Sequence, residues 1–292
     1  MLNRNTENHA KYQLLISMIL SGTLGTLMHY VTFPSSISAL SRSLISTPFL
    51  LLMIRCKKEH LNFTAIRKNI LLLFLTGMMI AGSWIFMFEA YKYAPVSVVT
   101  LCSYLSPIFL LIAAPVVLKE KISLKKCACV LVALVGVLII SGSADLGVQE
   151  GLDIRGILFS MGASLSNTAL ILLSKKIGDI SPYDQTVVQF AMAGMVMFPY
   201  ALLTGGFSQL QIDGLSLLML LIIGIVNTGI CYVMYFDAMP KVPAQTIAIY
   251  NYVPSLVAMV LSAVVLGERL TLGNLCGGLL ILAAAVIRNR VK

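Results

Sequence analysis

Two carboxylates in this sequence sit in apolar surroundings with a lysine one helical turn later. Glu89 precedes Lys92 by three positions, and Asp237 precedes Lys241 by four. At those spacings on a helix the acid and the amine lie on one face, so each pair can close an ion pair. A carboxylate within an apolar span is costly, and such groups also serve as gates and proton relays. Two chemistries are therefore open: interfacial salt bridges that set helix depth, or a pair of gate charges with Glu89 as a proton site. A third charge, Arg42, follows the run Ser35 to Ser41. It needs water or a partner such as a carbonyl near Pro48 or the N-terminal region, or else it snorkels to the nearby end of its span. Glu120 and Glu268 fall where helices should end. The helix dipole disfavours a carboxylate there, so each should bond the next helix's N-terminus or its neighbouring base, Lys121 or Arg269.

Uncharged polar and aromatic residues inside apolar runs are the candidates for lining a cavity. They are His29, Tyr30, Trp84, Tyr104, Asn167, Gln189, Asn227, Tyr250, Asn251 and Tyr252. Each can instead bond a neighbouring helix, for about 1 kcal/mol in a membrane. Trp84 is the sole tryptophan and lies mid-span, away from the interfacial belts where tryptophans concentrate. Tyr104 and Tyr252 have Pro107 and Pro254 close by, so each neighbours an expected helix break, where freed carbonyls can line a water-filled path. His29 can titrate near neutral pH, or sit hydrogen-bonded in the core.

Other chemistries find no support. There is no P-loop, GxSxG, HExxH or dinucleotide fingerprint. The six cysteines include no CxxC, and Cys127 and Cys129 point about 200° apart on a helix. They read as small apolar side chains. No metal or cofactor is expected, and no enzyme. The longest hydrophilic stretch, Gly142 to Asp153, is too short to hide a soluble domain.

The elements that must position these residues are membrane helices. Of 292 residues 58% are hydrophobic and only 11% charged, with mean hydropathy +0.91. A soluble domain carries about a quarter charged residues, and a bilayer core needs about 20 apolar residues per helix. Ten spans are expected: 13–33, 36–55, 69–91, 95–117, 124–142, 155–174, 183–204, 214–238, 243–266 and 271–288. The first reads as a retained span, not a signal peptide. Pro95 and Pro243 suit a first helical turn, Ser181-Pro182 reads as N-cap and N1, and Ser123 and Thr271 are placed to cap. With the N-terminus in the cytoplasm, 17 of the 21 Lys and Arg fall inside and three (Lys92, Arg155, Arg269) outside, with Arg42 within a span. That is a positive-inside pattern. The net charge of +9 therefore follows the loops and forms no nucleic-acid patch.

The chain also repeats. Residues 84–140 overlay 232–288 at a displacement of 148, pairing Pro95 with Pro243, Tyr104 with Tyr252 and Glu120 with Glu268. VVLKEKISL at Val116 returns as VVLGERLTL at Val264, stripped of its lysines. Five spans per half is an odd number, so the second half enters the membrane from the opposite side and its charges change with the side. Inverted repeats of this kind recur in secondary transporters.

The pattern FxxxAxxYxPVSVxxLxxYLSPIF…LKEKIS from Phe86, returning as FDAMxxVPAQTxAIYNYVPSL…LGERLT, resembles the EamA-type domain of the drug/metabolite transporter superfamily. The resemblance covers essentially the whole chain as two units, 1–145 and 146–292. Arg42 matches a position where such units usually carry an arginine. The resemblance implies an all-α bundle of ten transmembrane helices, as two inverted five-helix repeats around a central cavity. It implies both termini in the cytoplasm, and export or exchange of small metabolites, often amino acids. The cavity is then lined by the first four helices of each half, with the fifth and tenth peripheral. Few basic residues are available inside, so an amphipathic, amino-acid-like substrate is expected over a sugar phosphate. The expected function is a secondary transporter in the cell membrane working by alternating access, driven by the substrate gradient or proton exchange. The alternative is a non-transporting membrane protein, a sensor or lipid-handling enzyme. Gly273 and Gly277 form a GxxxG that permits close helix contact, within a monomer or across a homodimer.

Overall fold

The computed structural model describes residues 4–94, 99, 102–121, 123–140, 153–208, 210–265 and 272–290. Every regular element among them is helical. The chain runs through α1 (Arg4–Gly22), α2 (Leu24–Met28), α3 (Ser35–Cys56), α4 (Phe63–Ala90) and α5 (Ser106–Leu118). Then come α6 (Leu124–Ile140), α7 (Ile154–Ser174) and α8 (Pro182–Leu203). Two composite rods follow, α9 (Gly214–Lys241) and α10 (Ala244–Val265), and last is α11 (Leu272–Arg290). Six of these, α3, α4 and α7 to α10, are long and apolar enough to cross a membrane. Shorter apolar stretches lie in α5, α6 and α11.

Local chemistry sets the starts. Asn62 Oδ1 accepts the Ala65 N–H at 3.0 Å and opens α4. Asp153 and Ser181 accept from Arg155 and Tyr183 and open α7 and α8. These side chains take up amide donors that the first turn leaves orphaned. Asp213 opens α9, accepting from the Ser216 N–H at 2.8 Å and the Thr32 hydroxyl at 2.7 Å. Hydrogen bonds from Ser216 and Thr32 pull its pKa down to about 2. Ser123 contributes its carbonyl, which accepts the Cys127 N–H, to the start of α6. Pro243 stands one residue before α10 and not within its first turn. Pro95, Glu268, Arg269 and Thr271 lie outside the described residues.

The first span differs most from its expected 13–33. Its helix starts at Arg4, because Ala10 and Leu14 are buried and tie the polar N-terminal turns to the bundle. It ends early, breaking at Thr23 and stopping at Met28.

The packing follows a pattern. α4 lies against α7 and α8, and α9 lies against α1 and α3. α3 packs on α8, α5 on α10 and α6 on α11. α3 and α8 run antiparallel: Thr204 Oγ1 donates to Ser36 Oγ at 3.2 Å at one end, and Lys57 Nζ to the Tyr183 hydroxyl at 2.7 Å at the other. α6 and α11 touch backbone to backbone, since a Cβ on Gly136 would lie 2.6 Å from the Gly277 carbonyl oxygen. Gly277 of the GxxxG is thus used within the chain, and its counterpart is Gly136, a residue the glycine spacing of α6 did not mark.

Glu120 is held differently from the sequence expectation. Its Oε2 accepts the Ala244 N–H at 2.8 Å, at the start of α10 and not of α6. Its Oε1 pairs with Lys175 Nζ at 3.1 Å. Lys175 also donates to the Val242 carbonyl, and Gln245 Nε2 donates to the Lys121 carbonyl at 2.7 Å. Burial pulls the Lys175 ammonium below the ordinary lysine range, and Glu120 opposes that. These six residues latch one end of the bundle. A carboxylate is well placed there because a helix N-terminus carries partial positive charge.

Candidate functional site

Two adjoining compartments of about 200 and about 250 Å³ occupy the middle of the bundle. Ser21, Ser103, Asn167 and Tyr232 line both, so the two form one divided chamber. Tyr104, Pro107, Tyr235, Asn251 and Pro254 belong to the first compartment. Arg42, Ser83, Trp84 and Asn227 belong to the second.

Arg42 turns inward. Its guanidinium carbon stands 4.4 Å from the centroid of the Trp84 ring, a cation–π contact. Its Nε donates to Thr228 Oγ1 at 3.1 Å, and it also donates to the Tyr232 hydroxyl. Trp84 is 7% exposed and stacks on Phe190, with centroids 6.3 Å apart. The sequence expectation of a carbonyl partner or a snorkelling side chain is replaced by an aromatic face and two hydroxyls.

The middle of α9 explains how Thr228 reaches Arg42. Ile223–Ile230 is a π-helix, a wide turn that accommodates an extra residue. The insertion can be seen in the register of close contacts. A Cβ on Gly77 would lie 2.7 Å from Met192 Cβ, and a Cβ on Gly224 would lie 2.6 Å from Ile45 Cβ. The two contacts are displaced by 147 positions in both members. Beyond the π-helix the displacement is 148, as for Tyr104 and Tyr252. Asn227 is held in this segment, its Nδ2 donating to the Leu20 carbonyl at 2.6 Å and to Thr23 Oγ1 at 2.8 Å. Its buried Oδ1 has no hydrogen-bond partner.

The expected breaks are present. The chain turns at Tyr104 and Leu105 before α5, and at Asn251 and Tyr252 within α10. Pro107 and Pro254 each sit at the start of the segment that follows, where a missing N–H costs little. Two carbonyls at the first break accept hydroxyls from the second half of the chain. Tyr252 Oη donates to the Tyr104 carbonyl at 3.1 Å, and Ser164 Oγ to the Cys102 carbonyl at 2.6 Å.

Several residues expected in the chamber lie elsewhere. His29 and Tyr30 are exposed beyond α2, stacked edge to face, because that helix ends a turn early. Gln189 is fully buried between helices and donates to Thr76 Oγ1 at 2.7 Å. Tyr250 and Tyr252 are buried in the core beside the chamber. Glu89 pairs with Lys92 at 2.6 Å and accepts the Tyr200 hydroxyl at 2.8 Å. Asp237 pairs with Lys241 and accepts from Gln13 Nε2 at 2.9 Å. Both helical ion pairs form, and neither acid lines either compartment. Sequence reasoning missed Ser83, Ser103, Cys231 and Tyr232. A usable signal existed: displacement by 148 carries Trp84 to Tyr232, Ser83 to Cys231 and Ser103 to Asn251, and all six line the chamber.

The model of the EamA-like transporter family matches residues 12–142 and 154–290. The chain is 24% identical over 286 residues to the uncharacterized transporter YxxF of Bacillus subtilis (strain 168), covering 98% of this chain and 91% of that protein. It is 27% identical to mouse solute carrier family 35 member G1 over 54% of this chain and 45% of that protein. A crystal structure at 17% identity shares the fold, with a TM-score of 0.84 over 97% of this chain and 99% of that one. Apolar helices and a match over both halves agree: this multi-pass membrane protein belongs to the EamA-like transporter family.

Proposed function

We propose that the protein is a secondary transporter, not an enzyme, that exports or exchanges a small amino-acid-like metabolite across the cytoplasmic membrane by alternating access. The observation that carries this reading is the divided chamber walled by repeat-related residues, Trp84 with Tyr232, Ser83 with Cys231, and Ser103 with Asn251. A site built equally from both halves is one that either half can uncover by rocking.

The architecture proposed is ten membrane helices in two inverted five-helix units, 1–145 and 146–292, with both termini cytoplasmic. Two contacts support inversion. Tyr104 and Tyr252 touch each other, as residues related by a two-fold axis do only beside that axis. The counterpart helices α3 and α8 run antiparallel, whereas an axis along the membrane normal relates parallel helices. In this orientation the Glu120–Lys175 latch lies at the cytoplasmic end and must open before the chamber can face inward. Glu89 and Asp237 then act at the two ends as gate charges, with Glu89 available for proton coupling.

Counterflow in proteoliposomes, with a panel of labelled amino acids and related metabolites, tests the reading. Exchange of at least one class is expected. If no member moves faster than in protein-free vesicles while the protein is demonstrably folded, a non-transporting role takes its place.

A further inference from the structure

We propose that Arg42 is the anchor for a carboxylate on the transported molecule, with the apolar part of that molecule lying along Trp84 and Tyr232. This rests on the transport reading above and names its substrate class: small monoanionic or zwitterionic carboxylic acids.

Among the described residues Arg42 is the only charged side chain that lines either compartment. Among the described residues the ion pairs involve Lys11, Lys92, Arg155, Lys175 and Lys241, and none includes Arg42. A cation inside a membrane bundle is costly without a counter-charge. The Trp84 face and the Thr228 and Tyr232 hydroxyls offset part of that cost and supply no negative charge. Guanidinium has five N–H donors in a planar fork, so donors remain for a carboxylate, which the fork fits with two parallel hydrogen bonds. A single cation suits a monoanion. A phosphate ester, with up to two negative charges, calls for more positive groups than the chamber holds.

A second polar handle lies beside it. Asn227 immediately precedes Thr228, lines the same compartment and is 2% exposed. Its amide donors are engaged while Oδ1 has no partner. An acceptor left over next to a cation left over is suited to a ligand that carries both a carboxylate and an N–H donor.

The protein carries its own reporter, since Trp84 is the sole tryptophan and sits under the Arg42 guanidinium. The experiment titrates the purified protein with the common L-amino acids and simple monocarboxylates, each beside its carboxamide, and with inorganic phosphate, while Trp84 fluorescence is read. Several carboxylates are expected to give a saturable change, with amides and phosphate silent. Arg42→Gln should abolish the change. Arg42→Lys keeps the charge without the fork and should weaken apparent affinity about 10- to 100-fold, the range for one charge-assisted hydrogen-bonded contact. Amides as effective as their acids, a response to phosphate alone, silence across the panel, or an undiminished response in Arg42→Gln each overturn the anchor. Flux of the same compounds in proteoliposomes separates the two readings. Flux indifferent to Arg42 keeps transport and sinks the anchor, whereas an Arg42-dependent Trp84 signal without flux keeps the anchor and sinks transport.

Discussion

Arg42 in α3 and Gln189 in α8 are separated by the displacement that carries Ile45 to Met192 and Gly77 to Gly224. The two positions share a backbone setting and are used in opposite ways. Gln189 is fully buried and spends its amide donors on Thr76 and Ser174, binding α8 to α4 and α7. Arg42 is held by an aromatic face and hydroxyls and looks into the chamber. The difference teaches that the halves share a packing plan but not a polar inventory. Repeated small residues and tyrosines maintain the plan, and the unmatched polar groups give the chamber its polar lining.

A charge that is fully neutralised provides the upper reference for that comparison. Lys175 in the latch pairs with Glu120 and is 8% exposed at its side chain. Lys175→Met should leave Glu120 unpaired and cost about 3 kcal/mol of stability, the typical penalty for breaking a buried pair. Thermal unfolding in detergent measures it, and Glu120→Gln/Lys175→Met should recover part of the loss. Arg42→Gln comes next. It leaves no acid stranded, so unfolding should shift little while transport of carboxylates falls about 10- to 100-fold. A loss of stability as large as that of Lys175→Met would make Arg42 another structural charge and erase the contrast with Gln189. Gln189→Leu should do the reverse, lowering stability by about 1 kcal/mol for its lost hydrogen bonds. Transport should fall only in step with the amount of folded protein.

Smaller effects sharpen the role of the ends. Glu89→Gln should lower flux a few-fold or flatten its dependence on pH. Identical flux across the pH range in both proteins removes Glu89 from gating and leaves its bonds to Lys92 and Tyr200 as its role. Asp213→Ala should give the smallest change, a slight fall in melting temperature at neutral pH. Because the folded pKa of Asp213 is depressed to about 2, the cap is at full strength above the ordinary carboxylate range. It fades as pH falls through about 2, and only below that should mutant and wild type converge in melting temperature.

Much of the fold was legible because the bilayer imposes a length and a composition on each helix. The expected 36–55, 155–174 and 183–204 lie within a residue of α3, α7 and α8 at each end. The start of α1 was not legible, since the polar run before Gln13 has no hydropathy signal and is helical through burial of Ala10 and Leu14. The breaks at Tyr104 and Tyr252 were legible from proline. The π-helix was not, because π and α turns share composition and differ only in an inserted residue. Of the expected cavity residues, Trp84, Tyr104, Asn167, Asn227 and Asn251 line the chamber. His29, Tyr30, Gln189, Tyr250 and Tyr252 do not, because polarity within a span shows that a side chain needs a partner without showing whether that partner is a neighbouring helix or a cavity.

The sequence by itself determined that this is a membrane protein, where its apolar helices run, and that its halves repeat. Those are consequences of local composition and of residue types recurring at a constant displacement. Only the tertiary structure decided that Glu120 caps a helix from the other half, that α11 meets Gly136, and that Arg42 faces the chamber over Trp84. Which way a polar side chain turns depends on what neighbouring helices place against it, and residues distant in the chain supply that neighbourhood.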